Sequence, residues 1–95
     1  MKVPVIYCIE DSIHNFLLKK SISPEEELFL GFFLYEESKI LTLSRIHNKI
    51  YLDTNFYKAI QKQARDRNIY TGLLIGEMIA FRYRNGFLWD KKEYF

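Results

Sequence analysis

The sequence predicts a single small α+β domain, and three observations lead to this fold class. The chain has 95 residues, 48% of them hydrophobic, which is enough for one packed core and too few for two. A run rich in β-branched and aromatic residues opens the chain, as is typical of a strand. Two segments in the second half repeat their apolar residues every three or four positions, as helices do. We expect one domain over 1–95, with an α/β extension over 1–46, a strand-helix-helix unit over 47–86 and an aromatic tail over 87–95.

The composition argues against several kinds of chemistry. The single cysteine, Cys8, cannot form an internal disulfide, and no cysteines and histidines recur at zinc-ligand spacing. We therefore expect no metal, no cofactor and a reducing, cytoplasmic location. The apolar run at 3–9 is too short to cross a membrane. No internal repeat is visible in the sequence.

Charge is distributed unevenly along the chain. Residues 1–37 hold three basic and seven acidic side chains, whereas residues 38–95 hold eleven basic and five acidic ones. A basic surface raises the local concentration of polyanions and can contact phosphates. The second part of the chain is therefore the candidate for binding a nucleic acid, although a lopsided but inert surface would look the same.

The N-terminal segment predicts a strand followed by a short helix. Residues 3–9 are β-branched and aromatic, with Pro4 near the start where a strand tolerates it. Asp11 or Ser12 is expected to cap a helix that ends near Ser21. The apolar residues of this helix recur at helical spacing and are Ile13, Phe16 and Leu17.

Residues 23–46 allow two interpretations. The aromatic run over 28–35 favours a strand, which would form a β-hairpin with residues 40–46 across a four-residue connection. The alternative is a helix over 24–36, because Ser23 and Pro24 form a helix-start signal. A run that is apolar on both faces cannot be assigned by periodicity.

The next segment predicts a strand and a helix. Residues 49–52 alternate polar and apolar types, and Asp53 follows as a good helix cap. The helix is expected over 54–67 and ends where Asn68 can take a left-handed conformation. Its apolar positions lie three or four apart and are Phe56, Ala59, Ile60 and Ala64.

A second, more apolar helix is expected to start with Thr71 as its cap and to stop near residues 85–86. Its apolar face consists of Leu74, Ile75, Met78, Ile79 and Tyr83. Small residues also recur every fourth position, at Gly72, Gly76 and Ala80. Glycine within a helix costs about 1 kcal/mol relative to alanine, so this stripe indicates close packing, either within the chain or between subunits.

The order of parts over residues 48–84 resembles the ribbon-helix-helix, or Arc-repressor-like, family of DNA-binding proteins. In that family two subunits each lend one strand to a ribbon that enters the DNA major groove. The resemblance implies a homodimer, with an interface that includes Ile50, Leu52, Leu74, Gly76, Met78, Ile79 and Ala80. The residues themselves leave open whether this strand pairs with its copy in a partner or with residues 40–46 of its own chain.

The same resemblance implies how double-stranded DNA would be contacted. His47, Lys49 and Tyr51 match the strand positions that read base edges. The N–H groups at the start of the second helix would bind a phosphate, as helix N-termini do in general. The predicted phosphate contacts are Tyr70, Thr71 and Gly72, with further attraction from Lys58, Lys62, Arg65 and Arg67.

Other function classes have less support. Asp11, Ser12 and His14 are triad residue types, but they lie too close along one backbone segment to act on one another. We therefore expect no enzyme, and the primary expectation is a small DNA-binding transcriptional regulator. The alternative is a protein-binding accessory module of viral or plasmid type, indicated by the acidic N-terminal part and the aromatic tail.

Overall fold

The computed structural model describes residues 1–35 and 45–84, which form two strands and four helices. The presence of both strands and helices confirms the α+β class predicted from the sequence. The elements, in chain order, are β1 (Lys2–Glu10), α1 (Asp11–Lys19), α2 (Pro24–Leu34), β2 (Arg45–Asp53), α3 (Thr54–Asp66) and α4 (Thr71–Arg84). A strand followed by two helices therefore occurs twice, although the sequence shows no repeat. We call β1, α1 and α2 the first unit, and β2, α3 and α4 the second unit.

The two units join through their strands. β1 and β2 form an antiparallel pair over their whole length, and the pair of Ile6 and Lys49 lies at the middle of the ladder. The sequence suggests a second chain or residues 40–46 as the partner of β2, whereas in the described residues the partner is β1. Local patterns do not encode which distant strand a segment will pair with, so β1 was not considered. β2 also begins at Arg45, so the boundary predicted between 46 and 47 falls inside a strand.

The β-hairpin predicted from residues 28–35 and 40–46 is wrong. Residues 28–34 belong to α2, in agreement with the helical alternative, and Arg45 and Ile46 belong to β2. Residues 40–44 lie outside the described part of the chain. The aromatic composition was misleading because α2 packs one face on the core and leaves phenylalanines of another face in solvent.

The start signal of α2 works as the sequence indicated. The Ser23 hydroxyl oxygen accepts a hydrogen bond from the Glu26 backbone N–H at 3.4 Å, and Pro24 occupies the first helical position. Gly31 lies in α2 against α4. A Cβ at this position would collide with the Met78 carbonyl, so glycine allows the two helices to approach.

The strand-to-helix junctions differ between the units. Asp53 caps α3 as predicted, since its carboxylate accepts from the N–H groups of Asn55 and Phe56 at 3.0 and 3.3 Å. α1 instead starts directly at Asp11, with Glu10 at the cap position and no side-chain cap hydrogen bond. The caps predicted at Asp11 and Ser12 are therefore wrong, because β1 runs straight into the helix.

The later boundaries match the sequence closely. α3 ends at Asp66, and Asn68 adopts a positive φ of 56°, as expected for a residue that ends a helix. α4 begins at Thr71. The Leu74 backbone N–H donates to the Tyr70 carbonyl at 3.0 Å, so Tyr70, rather than Thr71, occupies the cap position.

One hydrophobic core lies between the inner face of the strand pair and the helices. Alternate strand residues point into it, as the period of two requires. The buried apolar residues come from both units and are Val5, Tyr7, Ile9, Ile13, Leu17, Leu28, Ile50, Leu52, Ile60, Ala64, Leu74, Ile75, Met78, Ile79 and Ala80. Neither unit has a separate core of its own.

The stripe of small residues on α4 packs against β1. A Cβ on Gly72 would lie 2.9 Å from the Ile6 carbonyl oxygen, and one on Gly76 would collide with the Cys8 carbonyl. The intramolecular explanation of the stripe therefore applies. The other residues predicted for a dimer interface are likewise buried in the core of this single chain, namely Ile50, Leu52, Leu74, Met78, Ile79 and Ala80.

Among the described residues, ion pairs also connect the units. Arg82 of α4 donates to the Glu27 carboxylate of α2, and both residues are buried. At the Glu10–Arg45 end of the ladder, Glu77 lies 3.8 Å from Arg45 and 3.5 Å from Arg84. Arg84 also pairs with Glu10. Burial raises the pKa of Glu77, and the charge of Arg45 opposes that shift.

Candidate nucleic-acid interface

The face of the strand pair that points away from the core is the candidate interface, and we call it the outer ribbon face. Along β2, His47, Lys49 and Tyr51 are exposed, whereas Ile50 and Leu52 between and beside them are buried. The sequence predicted this alternation. It places three hydrogen-bonding side chains in a row on one edge of a narrow, two-stranded surface.

β1 completes the outer ribbon face with a different chemistry. Pro4 pairs with Tyr51, Ile6 with Lys49 and Cys8 with His47. Pro4 and Ile6 are exposed and Cys8 is half-buried. One strand of the face is therefore mainly apolar and the other is polar. Lys2 adds a cation at the end of the apolar strand.

Sequence reasoning assigned no outward role to these β1 residues. The signal was present, because residues 3–9 were expected to form a strand and alternate residues of a strand share a face. What could not be inferred was the pairing of that strand with β2, which brings Ile6 beside Lys49.

The backbone at the middle of the face is held from below. The Asn48 side-chain oxygen accepts from the Lys49 backbone N–H at 2.9 Å. Tyr7 pairs with Asn48 in the ladder and is fully buried. Burial raises the pKa of the Tyr7 hydroxyl. The Asn48 side chain thus contacts the backbone of Lys49, whose own side chain extends from the exposed face.

The N-terminus of α4 lies beside the strand pair. Gly72 contacts the backbone of β1 at Ile6 and Tyr7. The N–H groups of Thr71 and Gly72 belong to the first turn, where no earlier helical carbonyl exists to accept them. Tyr70 precedes them and is 86% exposed. Such a terminus can bind an anion through its N–H groups and the helix dipole.

Some of the predicted cations lie close to this terminus. Arg65 shares a shallow groove between α3 and α4 with Tyr70 and Thr71. Lys58 and Lys62 are exposed on α3. Arg67 is half-buried, and its guanidinium carbon lies 5.0 Å from the ring centroid of Tyr35. The structure therefore brings Arg65 together with the α4 terminus, whereas Arg67 already packs against the first unit.

The equivalent terminus in the first unit has the opposite chemistry. α2 begins with Pro24, which has no N–H to donate, and continues with Glu25, Glu26 and Glu27. These carboxylates suit the positive end of a helix dipole but repel phosphate. The contrast could not be inferred from the sequence, because no visible repeat marks the two units as counterparts.

No group of three or more His, Cys, Asp or Glu side chains in residues 1–35 and 45–84 could hold a metal ion. Within the same residues, no helix has the length and apolar character needed to cross a membrane. No family model, curated protein or solved structure matches this chain.

Proposed function

We propose that this chain binds double-stranded DNA through its outer ribbon face and acts as a transcriptional regulator. The observation that carries the proposal is the row of His47, Lys49 and Tyr51 along the exposed face of an antiparallel strand pair. The major groove of B-DNA is about 12 Å wide and admits a two-stranded ribbon. Of the described elements, the helices contribute to the core on the other face.

The ribbon-helix-helix resemblance supports the proposal in a modified form. In that family the two strands of the ribbon come from two subunits. Here β1 pairs with β2 of the same chain. We infer that one chain provides the entire reading surface, so DNA binding does not require the homodimer that the sequence led us to expect.

Each side chain of the row has chemistry suited to a base edge. The Lys49 ammonium can donate to the O6 and N7 acceptors of guanine. His47 can donate to a base or a phosphate, and the Tyr51 hydroxyl can donate or accept. Ile6, which is 55% exposed beside Lys49, can contact the methyl group of thymine.

Phosphate contacts would fix the position of the ribbon along the DNA. The N–H groups of Thr71 and Gly72 can bind one phosphate, with Tyr70 and Arg65 lining the adjacent groove. Lys58 and Lys62 would add attraction that does not depend on sequence. Because the α2 terminus is acidic, these contacts would come from one side of the ribbon only, and the preferred site would not be a palindrome.

The first test asks whether the chain binds DNA at all. Fluorescence anisotropy with a random 30-base-pair duplex is expected to show binding that weakens steeply with added salt, because phosphate contacts release counterions. Absence of binding at low salt would contradict the proposal.

The second test concerns the reading residue. On a site selected from a random duplex library, Lys49→Ala is expected to weaken binding by about 1–3 kcal/mol and to relax sequence choice. Lys20→Ala is the matched control, since Lys20 is exposed on the first unit, outside the outer ribbon face. Equal affinities for the two variants would remove Lys49 from the interface.

A further inference from the structure

α2 exposes a stripe of large apolar side chains. Phe29, Leu30 and Phe33 are 52%, 44% and 68% exposed, and their spacing of three and four residues places them on one helix face. We call these three residues the α2 stripe. Single exposed apolar residues are common on protein surfaces, but a contiguous group marks an interaction site.

The α2 stripe rests on a packed aromatic base. The ring centroid of Phe29 lies 5.2 Å from that of Phe33 and 5.6 Å from that of Phe56. Phe32 contacts both Phe33 and Phe56, at 5.3 and 5.2 Å. Most of these contacts are edge-on, the favourable arrangement for aromatic rings. The stripe is thus held in place by contacts between α2 and α3, and little further ordering is needed when a partner binds.

Acidic side chains border the α2 stripe on one side. Glu25 and Glu26 line an open groove together with Phe29 and Leu30. The Glu25 carboxylate accepts a hydrogen bond from the Ser23 hydroxyl at 3.2 Å, which orients it. A lysine or arginine of a partner could lay its methylene stem on the apolar residues and place its charge on these carboxylates.

We propose that the α2 stripe binds a basic amphipathic helix of another protein. An amphipathic helix presents apolar anchors at helical spacing, which the stripe can receive, and basic residues beside them would meet Glu25 and Glu26. Charge complementarity selects this partner over a second copy of α2, because α2 carries glutamates and no lysine or arginine. It also disfavours an anionic membrane, whose charge the glutamates would repel.

This binding surface is separate from the proposed DNA site. The α2 stripe lies on a helix, whereas the residues of the outer ribbon face lie on β1 and β2. The failure of one proposal therefore leaves the other intact.

The test uses a phage-displayed library of random 16-residue peptides selected against the full chain. Enriched peptides are expected to combine apolar residues at helical spacing with lysine or arginine. Their affinities are then measured for the chain with Leu30→Ser and for the chain with Leu18→Ser. The two substitutions are chemically identical, and Leu18 is 65% exposed on α1, outside the α2 stripe.

We expect Leu30→Ser to weaken peptide binding at least tenfold and Leu18→Ser to change it less than twofold. Glu25→Gln with Glu26→Gln is expected to weaken binding several-fold, and only for the basic peptides. Thermal unfolding monitored by circular dichroism verifies that each variant is folded. Enrichment of acidic peptides, equal effects of the two leucine substitutions, or self-association of the chain that Leu30→Ser abolishes would each overturn the proposal.

Discussion

The two units have the same order of elements but opposite surfaces. The first unit, over residues 1–35, carries three basic and five acidic residues, whereas the second, over residues 45–84, carries eight basic and three acidic. The first turn of the second helix contains Glu25–Glu27 in one unit and Thr71 and Gly72 in the other. The outer ribbon face is mainly apolar on β1 and polar on β2. The units share the pattern of inward residues that builds the core, and they differ in the outward residues that meet other molecules.

Inside the molecule the units depend on each other. Gly31 of the first unit lies against the Met78 carbonyl of the second, and Gly76 of the second lies against the Cys8 carbonyl of the first. Glycine in the second helix of each unit thus allows close approach to the other unit. The surfaces of the units can differ while the core stays shared, because the two glycines at these contacts are buried.

The largest expected effect comes from breaking the buried ion pair between the units. Arg82→Met should lower the free energy of unfolding by about 3–5 kcal/mol, because it removes the ion-pair partner of the Glu27 carboxylate in the interior. Urea denaturation measures this loss. Arg65→Met, which removes an exposed cation, serves as the control and should change stability by less than about 0.5 kcal/mol.

The double variant Glu27→Leu with Arg82→Met tests whether the loss of stability comes from the unpaired charge of Glu27. Replacing both members of a buried pair by apolar residues removes the uncompensated charge, so most of the lost stability should return. A double variant as unstable as Arg82→Met alone would mean that packing, rather than the charge, holds α2 to α4.

A somewhat smaller loss of folding stability is expected when the glycines at these contacts are replaced. Gly76→Ala should cost about 3 kcal/mol, because its Cβ meets backbone that cannot rotate away, and this exceeds the gain of about 1 kcal/mol in helix propensity. Gly31→Ala is the matching change in the first unit and should cost a similar amount. Gly72→Ala, with more space, should cost less. Chemical denaturation of the three variants gives the order, and a neutral Gly76→Ala would contradict the observed packing.

The smallest effect concerns the strand-to-helix junctions. Asp53→Ala should lower stability by about 1 kcal/mol, because two N–H groups at the start of α3 lose their acceptor. Ser23→Ala, which removes a longer cap bond in the first unit, should cost less. Thermal unfolding distinguishes them, and the reverse order would show that the first unit depends more on its caps than the geometry indicates.

The local features of this fold were predictable, and the long-range ones were not. Asp53, Asn68 and the apolar spacing of α3 and α4 gave boundaries that agree with the structure within a residue or two. The identity of α2 was left undecided because phenylalanines point both inward and outward from it. The pairing of β1 with β2 joins segments that are distant in sequence, and no local signal specifies such contacts.

The same distinction between local and long-range features applies to the candidate site. Alternation along β2 was sufficient to place His47, Lys49 and Tyr51 on a common exposed face. The contribution of Ile6 and the acidic counterpart at Glu25 required the three-dimensional arrangement. Whether the outer ribbon face binds DNA stays a prediction that the binding experiments decide.

The pairing of both strands within one chain has a consequence for how the ribbon behaves on dilution. A ribbon assembled from two subunits separates when their concentration falls below the dissociation constant. Here a covalent connection keeps β1 and β2 at a high effective concentration whatever the number of molecules present. The pairing of β1 with β2 therefore does not require a second molecule, however dilute the protein is.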